Sequence, residues 1–234
     1  GGAQYNEIAG VFLRTGATWV EEATLIASGA AVGDHFGCSV ALSSDGSRAL
    51  VGAWRDDTAG GAEAGSARVF LRTGSTWVEE ATLLARGGAA NDLFGVSVAL
   101  SSDGSRAVVG APTGGADPGS ARVFARTGAA WVEEATILAS GGAVGDWFGV
   151  SVALSADGSQ ALVGAYRDDI AGDTYAGSAR VFLRTGATWV EATTLLASGG
   201  AGRWFGYSVA LSSDGSRALV GAYGDDTAGG TDAG

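Results

Sequence analysis

The stretch Phe94-Gly95-Val96-Ser97-Val98-Ala99-Leu100-Ser101 decides the fold, because the chain contains four versions of it. Phe-Gly recurs at Phe36, Phe94, Phe148 and Phe205, at spacings of 58, 54 and 57 residues, and Ser-Val-Ala-Leu-Ser follows each time after one intervening residue. Short runs of alternating β-branched and small residues bounded by glycine are typical of strands. A long-period repeat of such runs indicates a repeat architecture.

Each repeat contains four of these runs, which we label strands A to D. In the second full repeat they cover about 95–101, 106–111, 121–127 and 131–139. Asp103-Gly104, between A and B, is typical of a tight hairpin, and no run of helical period exceeds two turns. We therefore predict an all-β fold, a β-propeller of four-stranded antiparallel blades with strand A innermost.

The two ends of the chain carry complementary halves of a repeat. Residues 11–27 supply strands C and D, and residues 207–222 supply A and B. We predict one domain, 1–234, in which these halves pair. The predicted repeats are about 29–86, 87–140 and 141–198, with a composite fourth blade from 199–234 and 1–28. The sequence leaves three arrangements open: a ring closed within one chain, a ring of eight blades shared by two copies, and a piece of a longer chain.

Composition excludes several classes of protein. The net charge of -11, from 14 Lys+Arg and 25 Asp+Glu, argues against a nucleic-acid partner, which needs a basic surface. No uncharged apolar run reaches the length of a membrane span, so we expect no membrane insertion. Cys38 is the single cysteine and is predicted to be buried, and His35 is the single histidine, which disfavours a catalytic triad. The start Gly1-Gly2-Ala3, without Met or a signal peptide, suggests a processed product or an excised piece.

Together with Val109-Gly110-Ala111-Pro112, the repeated motif resembles the FG-GAP repeat, the blade of integrin α-subunit propellers. The resemblance implies a non-enzymatic extracellular or cell-surface module for recognition, adhesion or structure, with a protein or glycan ligand. An accessory domain of a secreted enzyme and a calcium-dependent lectin are the alternatives. Two features depart from the family: integrins have seven blades, and Pro112 is replaced elsewhere by Trp54, Tyr166 and Tyr223.

Calcium loops of the family lie in the A-to-B hairpin and carry several carboxylates. Here each of these hairpins has one, Asp45, Asp103, Asp157 or Asp214, which is too few for a six-to-eight-oxygen site. We interpret these residues as turn formers.

The D-to-A and B-to-C loops share the opposite face, which is rich in carboxylates and in rings that vary between repeats. Rings beside carboxylates are typical of surfaces that bind sugars or peptides, although packing between blades also explains them. The candidate ligand-binding residues are His35, Trp54, Trp147, Tyr166, Trp204 and Tyr223. Calcium is the candidate ion, with turn formation by the same aspartates as the alternative. The candidate metal ligands are Asp56, Asp57, Asp168, Asp169, Asp173, Asp225 and Asp226.

Strand D carries a repeated tryptophan, at Trp19, Trp77, Trp131 and Trp189, which we interpret as a packing anchor. The glutamate pairs that follow it point to opposite faces of the strand, so they do not form a catalytic pair. We expect them to pair with arginines of strand C, such as Arg72 or Arg126. No nucleophile–base pair or cofactor loop is evident, so we expect no enzyme activity and no cofactor beyond the candidate calcium.

Overall fold

The computed structural model describes residues 7–112, 117–170, 172–197 and 204–224. Over these ranges the chain forms strands and turns, and no helix that could cross a membrane is found there. The strands are β1 (Ala9–Thr15), β2 (Thr18–Leu25), β3 (Phe36–Leu42), β4 (Arg48–Ala53), β5 (Ser66–Thr73), β6 (Thr76–Leu83), β7 (Val98–Leu100), β8 (Arg106–Ala111), β9 (Ser120–Thr127), β10 (Ala130–Ile137), β11 (Ser151–Leu154), β12 (Gln160–Ala165), β13 (Ser178–Thr185), β14 (Thr188–Leu195), β15 (Phe205–Leu211) and β16 (Ala218–Ala222).

These strands form three complete blades and two half-blades. The first blade is β3-β4-β5-β6, the second β7-β8-β9-β10 and the third β11-β12-β13-β14, each antiparallel in chain order. The N-terminal half-blade is β1-β2, and the C-terminal half-blade is β15-β16. The all-β fold and the four-stranded antiparallel blades predicted from the repeat are confirmed.

The two halves of the predicted composite blade do not pair with each other over the residues that the structure describes. The N- and C-terminal half-blades are separate two-stranded sheets, so β1 pairs with β2 and β16 with β15. Three complete blades lie between the two half-blades along the chain, and sequence complementarity alone does not bring them together. Over the described residues, the edges of β1 and β16 that would face each other in a composite blade have no partner strand.

Successive blades approach each other through the Phe-Gly motif. The carbonyl oxygen of Gly95 accepts a hydrogen bond from Ser39 Oγ of the preceding blade at 2.8 Å. A Cβ atom added to Gly52, in strand B of that preceding blade, would lie 1.9 Å from the same oxygen. The contact recurs twice, with Ser97 bonded to Gly149 and Ser151 to Gly206 at 2.8 Å. The motif glycines thus allow the close approach of two backbones.

The hairpin turns between strands A and B of successive blades are also connected to each other by hydrogen bonds. Ser44 N–H donates to the carbonyl of Ser102 at 2.9 Å, and Ser102 N–H donates to that of Ala156 at 2.8 Å. Within each turn an aspartate fixes the backbone: Asp45 Oδ1 accepts bonds from Ser43 Oγ at 2.7 Å and from Ser47 N–H at 2.9 Å. The interpretation of these aspartates as turn formers is therefore supported. Strands A lie against one another from blade to blade, which agrees with strand A at the inner edge.

The hydrophobic core lies between neighbouring blades. One buried cluster combines Leu50 and Val69 of the first blade with Phe94 and Val109 of the second, all less than 1% exposed. A second cluster joins the second and third blades around Phe148. The repeated placement of phenylalanine predicts burial of all four Phe-Gly rings; Phe36, Phe94 and Phe148 are buried, whereas Phe205 in the C-terminal half-blade is half-buried.

Cys38 is exposed, so its predicted burial is wrong. Exposure alternates regularly from Gly37 to Leu42, and Cys38 lies on the same side of β3 as Val40 and Leu42, which are 63% and 55% exposed. Its sulfur lies 3.5 Å from the Gly95 carbonyl oxygen, beside the loops rather than in the core.

Replacement of Gly110 by alanine should destabilise the protein by about 3 kcal/mol or more, because the new Cβ would lie 1.9 Å from the Gly149 carbonyl oxygen. The control is Gly142→Ala, where the nearest atoms are 3.1 Å away and a cost of about 1 kcal/mol or less is expected. Urea denaturation of the two variants measures both values. Equal effects would contradict the close-approach argument.

Acid should weaken the A-to-B turns. Hydrogen bonds from Ser43 and Ser47 lower the pKa of Asp45 from 3.8 to about 2, so its ionised form stabilises the fold above its ordinary pKa. This stabilisation is lost as pH falls from about 4 towards 2. Asp45→Asn should therefore destabilise the protein at pH 7 and have a smaller effect at pH 2. Unfolding free energies of both proteins over this range test the prediction, and a pH-independent difference would contradict it.

Candidate functional site

The D-to-A and B-to-C loops lie on one face of the molecule, as predicted. Arg55 N–H in a B-to-C loop donates to the carbonyl of Asp34 in the D-to-A loop of the same blade at 3.1 Å. Leu93 N–H donates to the carbonyl of Glu63, from the preceding blade, at 3.2 Å. We call this surface the loop face.

The residue before each Phe-Gly has a left-handed backbone. The φ angles are 58° at His35, 54° at Leu93, 60° at Trp147 and 64° at Trp204. Such angles are uncommon for residues other than glycine and are tolerated where the surroundings hold them. Their recurrence in all four repeats shows that this turn is part of the blade. The turn presents a variable side chain on the loop face.

Five rings from the third blade and the C-terminal half-blade meet on the loop face, and we call them the aromatic cluster. Its members are Trp147, Tyr166, Trp204, Tyr207 and Tyr223. Tyr166 contacts three of the others edge-on and is only 7% exposed. Trp204 and Tyr223 are parallel, with centroids 5.4 Å apart.

Exposure divides the cluster into a base and an outer surface. Burial raises the pKa of Tyr166, which is consistent with a packing role at the base. Tyr223 and Tyr207 are 68% and 49% exposed and form the outer surface. The sequence-predicted residues thus serve two purposes, since Tyr166 packs between blades and Tyr223 faces outward.

His35 and Trp54 form a separate pair in the first blade, with centroids 4.9 Å apart. The guanidinium of Arg55 lies 4.5 Å from the Trp54 ring centroid. Arg167 takes a similar place at the aromatic cluster, 4.9 Å from the Trp147 centroid. Cation–π contacts of this kind hold an arginine against each aromatic group.

Two of the predicted metal ligands have arginine partners. Asp168 Oδ2 accepts bonds from Arg180 Nη2 at 3.0 Å and from Ser178 Oγ at 2.6 Å. Asp56 is bound in the same way by Arg68 Nη2, at 2.7 Å, and by Ser66. These carboxylates connect the B-to-C loop to strand C through hydrogen bonds, and calcium binding by them stays a prediction.

The neighbouring aspartates have other local roles. Asp57 accepts a bond from Glu63 N–H, and Asp169 one from Tyr175 N–H, each at 2.9 Å. Asp173 is exposed at a tight backbone turn. Asp225 and Asp226 lie outside the described residues. Across the portion of the chain that the structure describes, no group of three or more His, Cys, Asp or Glu is placed to hold a metal ion.

Buried aspartates also shape the D-to-A loops. Asp146 Oδ2 accepts a bond from Ala143 N–H at 2.6 Å, and Asp34 and Asp92 make the equivalent bond. Burial raises the pKa of all three. The sequence places these carboxylates on the loop face, but in the structure they are buried and bind the backbone of their own loops.

Glu22 and Glu80, each the second glutamate of its strand-D pair, bind arginines of the next blade. Glu80 binds Arg126 of the next blade at 3.0 Å and also accepts a bond from Trp131 Nε1 at 3.2 Å. Glu22 binds Arg72 and Trp77 in the same way. The expected pairing with arginines of strand C is thus present, between neighbouring blades for Glu22 and Glu80 and within one blade for Glu79, which binds Arg68 at 3.2 Å.

Sequence reasoning missed three residues of the site. Tyr207 falls inside the Phe-Gly-x-Ser motif, where the other repeats carry Cys38, Val96 and Val150, so its ring is a local departure that the alignment of the repeats could have revealed. Arg167 and Tyr175 lie in a B-to-C loop, and only the structure shows their contact, 5.7 Å from guanidinium to ring centroid.

The repeats match a known family model along most of the chain. The FG-GAP repeat model matches residues 19–70, 77–124, 131–182 and 189–234. The chain belongs to the FG-GAP repeat family. FG-GAP repeats are typical of extracellular proteins, and the family is generally non-enzymatic.

Comparison with solved structures supports the fold. A crystal structure of a protein from Lactobacillus plantarum, a structural genomics target, superposes with a TM-score of 0.53 over 80% of this chain at 14% sequence identity. The chain spans 49% of the length of that protein. No curated protein matches the sequence of this FG-GAP chain.

Asp168→Ala should destabilise the protein by about 3 kcal/mol, because it leaves Arg180, with a side chain 8% exposed, without one of its two carboxylate partners. Asp169→Ala is the matched control, and loss of its single exposed hydrogen bond should cost about 1 kcal/mol or less. Denaturant titration of the two variants measures the difference. A similar cost for both would show that the ion pair adds nothing to the fold.

Proposed function

We propose that this chain is a non-enzymatic extracellular recognition module that binds a glycan on the loop face, at the aromatic cluster. The observation that supports this function is the pair of exposed rings Tyr207 and Tyr223, with the half-buried Trp204 stacked on Tyr223, on a base of packed residues. Exposed, rigid rings bind the apolar faces of sugars at a low cost in conformational entropy.

Polar groups beside the cluster would supply orientation. Arg167 lies against Trp147, and Tyr175, 46% exposed, lies close to Arg167. Asp169 is exposed in the same loop and bonds the backbone of Tyr175. Hydroxyl groups of a sugar can accept hydrogen bonds from a guanidinium and donate them to a carboxylate.

A protein ligand is the second candidate. The loop face carries a second aromatic group, His35 with Trp54 and Arg55, in a different blade. Tryptophan, tyrosine and arginine are the residues most often found at energetically dominant positions of protein interfaces. A ligand large enough to contact the first and third blades together would be a protein rather than a short glycan.

A glycan array, followed by titration of the best glycan, tests the first candidate. Trp204→Ala and Tyr223→Ala should each weaken binding by about 2- to 10-fold, since an aromatic contact contributes about 0.5–1.5 kcal/mol beyond its buried area. Trp19→Ala is the control, because Trp19 is 67% exposed but lies on strand D.

The outcomes separate the alternatives. Loss of binding in the two cluster variants, with Trp19→Ala unchanged, supports a glycan site at the aromatic cluster. Binding that requires added calcium and disappears with a chelator would indicate the calcium-dependent lectin. Absence of any glycan ligand, with capture of an extracellular protein that depends on Trp54, would replace the first candidate by the second.

A further inference from the structure

An open apolar groove runs along the edge of β1 that lies away from β2. It has a volume of about 490 Å³ and lies between the N-terminal half-blade and the first blade. Three of its lining residues, Ile8, Phe12 and Val40, are 48%, 55% and 63% exposed. In each complete blade the equivalent edge of strand C is covered by strand B, as β4 covers β5. The groove is therefore the place of a missing A–B hairpin.

The C-terminal half-blade is such a hairpin, and three of the five residues of its strand β16 are exposed over the described part of the chain. Residues 217–222 have the same sequence as residues 48–53, Arg-Ala-Leu-Val-Gly-Ala. Leu50, within that segment of the first blade, is 0% exposed, whereas Leu219 is 74% exposed. On the other side, residues 11–16 repeat the sequence of 69–74, Val-Phe-Leu-Arg-Thr-Gly. Two segments that pair with each other in the first blade thus recur in the two half-blades, where they do not pair with each other over the described residues.

Charge complementarity supports the same pairing. Glu80 binds two arginines, Arg126 of the next blade and Arg48 from strand B of its own blade, at 3.0 and 3.1 Å. Glu22 has the partner from the next blade, Arg72. The counterpart of Arg48 for Glu22 is Arg217, which is exposed in the C-terminal half-blade.

We propose that the C-terminal half-blade of one copy fills the β1 groove of a second copy, and that the second copy does the same for the first. The pairing within the first blade, where Leu50 is opposite Val69, sets the register, with Leu219 of one copy opposite Val11 of the other. Among the described residues of one chain the two half-blades are separate sheets, and a second copy carries a hairpin of matching sequence. Two mutual contacts close a ring of eight blades, which is within the range of known propellers.

The proposed contact between β16 of one copy and β1 of the other is more apolar than the contact between strands B and C of the first blade. Ile8 and Gly10 stand where the first blade has Ser66 and Arg68. The ion pair of Arg68 with Asp56 therefore has no counterpart at Gly10. Burial of Leu219, Ile8 and Phe12 would supply the association energy, with Arg217 and Glu22 fixing the register.

Disulfide trapping tests the register directly. The variant carries Val11→Cys and Leu219→Cys in a Cys38→Ser background. It is oxidised, and its molecular mass is measured under denaturing, non-reducing conditions. We expect a covalent species of twice 23.1 kDa. The control pairs Leu219→Cys with Val20→Cys, which is 55% exposed on β2, away from the groove, and should not cross-link.

Every other outcome of the trapping experiment counts against the proposal. An intrachain disulfide at monomer mass would show that one chain closes on itself. Cross-linked species longer than the dimer would show head-to-tail growth and would overturn the closed ring. Free thiols, or equal cross-linking of the control, would overturn docking in this register.

A second variant tests the interface without new cysteines. A Cβ added to Gly221 meets nothing closer than Ser208 at 3.7 Å in the single chain, whereas its counterpart Gly52 lies against the Phe-Gly carbonyl of the next blade. In the proposed dimer that carbonyl belongs to Gly37 of the second copy. Gly221→Ala should therefore convert a dimer to monomers in light scattering, with an unchanged circular dichroism spectrum. Unmutated protein of monomer mass over a concentration series, or a Gly221→Ala variant that dimerises normally, would refute the proposal.

Discussion

Close contact between backbones of neighbouring blades is the constraint on which the rest of the structure depends. The Gly95 carbonyl reaches Ser39 Oγ at 2.8 Å because Gly52 has no side chain in the way. Three positions of the repeat are explained by this one contact: the glycine of Phe-Gly, the first serine of Ser-Val-Ala-Leu-Ser, and the glycine of Val-Gly-Ala. With the backbones so close, the adjacent phenylalanine enters the space between blades, where Phe94 is fully buried.

Because the core lies between blades, each blade depends on its neighbours for the burial of its apolar face. Repeat proteins with such nearest-neighbour interfaces need protection at both ends of the array. Here Phe12 is 55% exposed at the N-terminal half-blade, while its counterpart Phe70 is 3% exposed in the first blade. The same residue type in the same local sequence is therefore core or surface according to whether a neighbouring hairpin is present.

The repeat made the strands, the blade topology and the buried phenylalanines predictable, since each follows from local alternation and glycine spacing. Contacts between distant segments were not predictable. Asp56 resembles a metal ligand in sequence because its partner Arg68 comes twelve residues later, on the next strand. Cys38 resembles a core residue because it lies in an apolar run, but Val40 and Leu42 on the same side of β3 are exposed as well. The aromatic residues of the candidate site were found, but their division into a buried base and an exposed surface depends on how two blades pack.

Sequence differences between the repeats show which partners of an ion pair are kept or lost together. Strand B and strand D of a blade are linked by Arg48 with Glu80 in the first blade and by Arg106 with Glu134 in the second. The third blade has Gln160 and Ala192 at these two positions, so both charges are absent together. Loss of one partner alone would leave a largely buried charge without its counter-ion, which is costlier than loss of both. Arg217 and Glu22 keep both charges although nearly the whole chain separates them, as expected if the same constraint acts between the two half-blades.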